Sequence, residues 1–318
     1  MAEVIFVNVT LDALFTNSST TTDKENLVLF KNCTKVLFQG VTVKSLDFNY
    51  PAALFNFVDV EEIVINDLQV MDLVIAEKLI EVNKATSLKI SSSVFKNIIT
   101  QSTVTTAFSI LSLVGVRTTT LSSTVFKNNF NVTLITSTNV FIEDNFKMNY
   151  INDTFDLYNV TFSTNTFPED DNDQDDTILS LKGTTLTFNI VNSSENNGTL
   201  KIYSSTDVTI ENSNFSDNLA LQGGAVSLTD ITGTVSLVNS LFKDNEAIAD
   251  GGALFLENVN KLVFDSESVV TGNTALIGGG IRVTGTYNGA DVSARRNLRG
   301  LDVDNETEDI NGNDNLSL

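Results

Sequence analysis

The last third of the chain repeats itself, and a repeat of this length confines a chain to solenoids, propellers or similar arrays. Phe215-Ser216-Asp217-Asn218 leads to Gly223-Gly224-Ala225, and Phe242-Lys243-Asp244-Asn245 leads to Gly251-Gly252-Ala253. Val270-Thr271-Gly272-Asn273 then leads to Gly278-Gly279-Gly280. The spacing is about 27 residues, near the length of one solenoid coil.

A looser template extends upstream: an apolar tetrad, a turn, a second alternating strand, a polar turn and hydrophobic-x-x-Asn. Leu79-Ile80-Glu81-Val82 runs to Val94-Phe95-Lys96-Asn97, and Ile110-Leu111-Ser112-Leu113 runs to Val125-Phe126-Lys127-Asn128. Further tetrads lie near Val4, Leu27, Leu54, Leu134, Phe155, Ile178, Leu200, Val226, Leu254 and Ile281. The terminal Asn recurs at Asn17, Asn49, Asn97, Asn128, Asn149, Asn197, Asn218, Asn245 and Asn273, whereas the coil around Val70 carries Leu73 instead.

Each feature has a physical reason. Strand side chains alternate with period two, so each tetrad buries two residues and exposes the others. Asn tolerates the left-handed conformation of a sharp corner, and its amide can bond to the same amide one rung away. The glycine pairs Gly223/Gly224, Gly251/Gly252 and Gly278/Gly279 supply a turn that side chains forbid. The Phe or Val before Asn is an interior residue able to stack on its counterpart. These features predict an all-β fold, a single-stranded right-handed parallel β-helix of about twelve coils, rising about 4.8 Å per rung.

Composition agrees. Abundant Asn, Thr and Ser favour strands and tight turns over helix, and 42% hydrophobic content suffices for a core. No Pro-, Gly- or Ser-rich linker divides the chain, so residues 1–290 read as one β-helix domain. The template fails near Arg295, Arg296 and Arg299, and residues 291–318 read as an acidic, flexible tail.

Phe-x-x-Asn followed by Gly-Gly-Ala resembles the repeat of chlamydial polymorphic outer membrane proteins and related bacterial and protist surface proteins. The full motif covers Phe215 to Gly280, and the looser template about Val4 to Val283. The resemblance implies a right-handed parallel β-helix of the pectin-lyase-like class. It also implies a role in adhesion or surface display. The membrane β-barrel of the chlamydial proteins has no counterpart in this chain, so the resemblance supports no autotransporter mechanism.

Charge narrows the partners. A net charge of -21 excludes general affinity for nucleic acid or anionic lipid. No apolar run reaches eighteen residues, so no helix is expected to span a membrane. Cys33 is the single cysteine and His is absent, which excludes an internal disulfide and leaves no ordinary zinc site. The residues after Met1 lack a basic flank and do not read as a signal peptide, so a secreted protein would have lost its beginning. Eleven Asn-X-Ser/Thr sequons fit a glycoprotein, although about eight arise by chance at this abundance. The expectation is a non-catalytic structural or adhesive module of a larger secreted or cell-surface protein. Its partner would be a cell-surface glycan or protein ligand, or another copy end to end.

The alternative is a polysaccharide lyase or hydrolase, which needs carboxylates on neighbouring rungs. The outward position of the first strand is read as Phe6, Leu29, Asn56, Glu81, Ser112, Thr133, Asp156, Ser180, Lys201, Ser227, Phe255 and Arg282. In that register Glu81 and Asp156 are about 14 Å apart, too far to share a metal ion. No catalytic residues and no cofactor are therefore expected. Asp171, Asp173 and Asp175 alternate like a Ca²⁺ loop. A Gly at the sixth position is missing and Lys182 occupies the twelfth, so a solvated acidic loop is the plainer reading.

Overall fold

A computed structural model describes residues 2–12, 28–48, 53–75, 78–100, 109–129, 133–138, 154–165, 177–182, 185–286, 290–292 and 301–303. Among these, every regular element is a strand, and the paired strands run parallel. The molecule is a parallel β-solenoid with three long sheets. One strand, Ala53–Ile75, shows how a coil is made. Its residues 55–58 join the first sheet, 62–66 the second and 69–71 the third.

Left-handed residues mark the corners. Between the first and second sheets lie Asn32, Asp59, Asp230 and Asn258, and between the second and third lie Asp67, Asn159, Asn212 and Asn239. After the third sheet come Asp72, Asn97, Asn128, Asp217 and Asp244. Short polar side chains bear this conformation at least cost, which explains the chain's Asn and Asp content. Between corners, alternation buries one face completely. Leu200, Ile202, Val226, Leu228, Leu254 and Leu256 are at most 1% exposed.

Among the described residues the first ladder passes through eleven strand segments, from Val28–Lys31 to Leu301–Val303, slightly fewer than the twelve coils read from the tetrads. The difference has a specific origin. Val4 and Phe155 pair in the second sheet, with Val36 and with Thr119 and Leu186. Both sheets carry the same period-two pattern, so alternation alone cannot assign a strand to one of them. Pairing also continues past residue 290. Ala290–Val292 pairs with 262–264, and Leu301–Val303 with 281–283.

Columns of identical side chains fill the interior. Phe95 stacks on Phe126 with centroids 4.9 Å apart, Phe126 on Phe162 at 5.3 Å, and Phe215 on Phe242 at 4.9 Å. Ser193 occupies the same register between Phe162 and Phe215 and interrupts the stack.

Candidate functional site: a groove on the first sheet

The predicted corner residues fix the scaffold. Asn218, Asn245 and Asn273 lie in a buried amide ladder that begins at Asn129. Asn129 Nδ2 donates to Asn165 Oδ1 at 2.9 Å, Asn165 to Asn196 at 2.8 Å and Asn196 to Asn218 at 2.9 Å. Asn218 donates to Asn245 and Asn245 to Asn273, each at 2.9 Å. Each Oδ1 also accepts the backbone N–H of the preceding column residue, from Ile98 to Asn245.

Asn97 and Asn128 are not in this ladder. They stand one residue earlier, at the left-handed corner with φ of 54°, where later coils place Asp217 and Asp244. The ladder position itself holds Ile98 and Asn129. Two adjacent positions therefore share the work that one Asn was expected to do. The first makes the turn and the second carries the buried amide. Leu73 and Ile98 fill the same column with aliphatic groups in the earlier coils. Asn17, Asn49 and Asn149 lie outside the described residues, and Asn197 follows the ladder residue Asn196.

The glycine pairs lead from the extra strand back to the first sheet. Gly223, Gly251 and Gly278 have φ of 59°, 65° and 64°. At Gly251 an added Cβ would stand 2.2 Å from the Leu254 carbonyl oxygen. Gly252 is equally tight, since its Cβ would meet the Gly279 carbonyl oxygen at 2.0 Å, and Gly224 would meet that of Gly252 at 2.2 Å. Gly279 differs, its nearest such contact being an ordinary 3.5 Å.

Nine of the twelve outward positions do form one column: Leu29, Asn56, Glu81, Ser112, Ser180, Lys201, Ser227, Phe255 and Arg282, with Thr136 bridging Ser112 and Ser180. Thr136, not Thr133, holds the fifth rung. Phe6 and Asp156 belong to the second sheet, paired with Phe38 and with Thr120 and Thr187. Asp156 is thus on a different face from Glu81 and Lys201. Glu81 sits between Lys78 Nζ at 2.5 Å and Asn56 Nδ2 at 3.1 Å, an arrangement that ties down both carboxylate oxygens.

The outward face of the first sheet carries a groove of about 320 Å³. Thr199, Lys201 and Tyr203 form its floor on one strand, followed by Ser227 and Thr229, then Phe255 and Glu257. Ser204 and Asp230 close the corner side. The opposite wall comes from Leu221 and Gln222, on an extra strand, Leu219–Gln222, which pairs with Glu246–Asp250 outside the three main sheets. Asn258 Nδ2 donates to Asp230 Oδ1 at 2.9 Å, holding that carboxylate to the next rung. Arg282 continues the column beyond Phe255, its Nε 3.9 Å from Asp250 Oδ1.

The tetrads identified the floor of this groove but not its wall. The signal for the wall was present as Leu219-Ala220-Leu221, Ala247-Ile248-Ala249 and Ala275-Leu276-Ile277, each between the Asn and the Gly-Gly. Asp171, Asp173 and Asp175 lie outside the described residues, between Asn165 and Thr177. Among the described residues, no three His, Cys, Asp or Glu side chains gather as a metal site, and no helix is long and apolar enough to cross a membrane. Cys33 is buried beside the Lys31 carbonyl oxygen, its Sγ at 3.6 Å.

Neither protein-family models, nor curated proteins, nor solved structures give a match to this chain.

Proposed function

We propose that this chain is a non-catalytic structural or adhesive module of a secreted or cell-surface protein, with a glycan or protein ligand held in the groove on the first sheet. The observation that carries this reading is the composition of the groove. Tyr203, Phe255, a row of hydroxyls, Lys201 and the carboxylates of Asp230 and Glu257 line a concave surface on a scaffold stiffened by ladders. Aromatic faces with convergent polar groups suit sugar rings or an extended peptide. The resemblance to chlamydial polymorphic outer membrane protein repeats points the same way, toward display and adhesion. Exposed sequon residues Asn8, Asn32 and Asn159, all at left-handed corners, fit a secreted setting. End-to-end pairing of copies belongs to the same proposal, because a strand edge exposed at the end of any solenoid invites pairing.

A glycan array probed with the labelled chain tests this reading, and Tyr203→Ala should remove the signal. Binding that survives Tyr203→Ala would move the ligand elsewhere. One observation favours the second reading, a polysaccharide-active enzyme. Asp230 and Glu257 face the groove from neighbouring rungs, as a hydrolase pair would. Incubation with acidic and neutral polysaccharides, followed for new reducing or unsaturated ends, separates the two. Cleavage lost in Glu257→Gln would establish the enzyme.

A further inference from the structure

Three of the nine large hydrophobic side chains exposed among the described residues sit together on the extra strand Glu246–Asp250 and the segment bridged to it. Ile248 is 65% exposed, Leu276 82% and Ile277 40%. Ile248 lies on Glu246–Asp250, and residues 274–277 bridge to that strand at Thr274 and Ile277. Together with half-buried Leu221, these side chains form a ridge across three rungs, about 10 Å long. The Ala residues that alternate with them, Ala220 and Ala247, point inward and are 3% exposed. On the first two rungs the ridge is the outer half of a period-two pattern, on the third the adjacent Leu276 and Ile277 are both exposed, and burying the core does not require it.

An acidic column runs parallel to the ridge. Glu195, Asp217 and Asp244 occupy the left-handed corner on three successive rungs, all exposed, and Glu246 begins the extra strand beside them. Lys243 Nζ lies 3.3 Å from Asp244 Oδ2 and offsets one of these charges. The column spans about 10 Å and stands one rung before the ridge, so that the two share the rungs of Leu221 and Ile248.

We propose that this face docks a cationic amphipathic helix of a partner protein, apolar row on the ridge and basic side chains on the acidic column. Three arguments select that occupant. Apolar residues at i, i+4 and i+7 of a helix span about 10.5 Å, which matches the ridge. The acidic column calls for cationic neighbours. Finally, a second copy of a chain with net charge -21 would bring like charge against it. The face meets the groove at Leu221, which borders both, whereas Tyr203 on the groove floor lies outside it.

The test uses a fluorescent synthetic helix with Leu at i, i+4 and i+7 and Lys on the flanking positions. A second helix keeps the Leu row and replaces every Lys by Glu. Anisotropy titration against the full chain should show binding of the Lys helix and none of the Glu helix. Ile248→Ser combined with Leu276→Ser should weaken binding by about tenfold or more. Both positions are exposed, so circular dichroism of the variant should retain the strand signal. Tyr203→Ala should leave helix binding unchanged, which separates this face from the groove. Equal binding by the double variant would reduce the interaction to bulk charge and overturn the proposal, as would no binding of the Lys helix. A concentration-dependent dimer abolished by the double variant would make a second copy the occupant, and would also overturn it.

Discussion

Replacing Asn245 by Leu should destabilise the C-terminal coils far more than any neighbouring surface change. Asn245 is 0% exposed. Its Nδ2 donates to the Phe215 carbonyl at 3.0 Å and to Asn273 Oδ1 at 2.9 Å, and its Oδ1 accepts from Asn218 N at 3.1 Å and Asn218 Nδ2 at 2.9 Å. Leu fills nearly the same volume but makes none of these bonds. The Asn218 backbone N–H and one Asn218 amide proton lose their acceptor, and the Phe215 carbonyl loses a donor. At about 1–3 kcal/mol for each stranded donor, the cost is about 2–6 kcal/mol. Because a solenoid can open coil by coil, the assay should be local. Native-state hydrogen exchange at Asn218 and Asn245 reads the opening free energy where the change is made. Asp244→Ala, one residue away at an exposed corner, is the control and should move that free energy much less. A loss below about 1 kcal/mol, or one equal to the control, would refute the reasoning that the amide column holds these rungs.

Three further outcomes follow from the geometry. Ile190 is a β-branched residue at φ 56° and 38% exposed, so Ile190→Asn should stabilise by about 1 kcal/mol, read as a higher urea midpoint; a lower midpoint contradicts it. Gly251→Ala should destabilise strongly because its Cβ would meet the Leu254 oxygen at 2.2 Å, while Gly279→Ala, with 3.5 Å of room, should be tolerated in thermal melts. Burial pushes the Asp265 carboxyl up, but hydrogen bonds from the Ser268 side chain and from the backbone of Asn239, Ser268 and Glu267 outweigh it and hold its pKa below the ordinary value. A depressed carboxylate stabilises fully above its unfolded pKa of about 3.9 and loses that contribution as pH falls through the lower folded value. Asp265→Asn should therefore narrow the difference in urea midpoint between pH 6 and pH 3, and an unchanged difference would exclude this role.

The parallel solenoid was legible because Phe-x-x-Asn and Gly-Gly recur at constant spacing, and each demands a special environment: a stacked interior ring, or a corner without side chains. What remained hidden has local causes. Asn suits both the left-handed corner and the buried ladder, so Asn97 and Asn128 read like Asn218 although they sit one column away. Val4 and Phe155 read as first-sheet strands because every sheet shares one alternation. The groove floor at Lys201, Ser227 and Phe255 follows from the tetrads, whereas its wall depends on a pairing between Leu219–Gln222 and Glu246–Asp250 that short strands do not announce.

A single distance tests the stacking of coils. Lys96, Lys127, Ser163, Ser194, Ser216 and Lys243 occupy one outward column of the third sheet. Nitroxide labels at Lys96→Cys and Lys243→Cys, in a Cys33→Ser background, stand five rungs apart, or about 24 Å. Pulsed electron–electron resonance should give one narrow distribution near that value, widened only by the label arms. A broad distribution, or a mean beyond about 40 Å, would show that these residues do not share a column and that the coils are not stacked in this register.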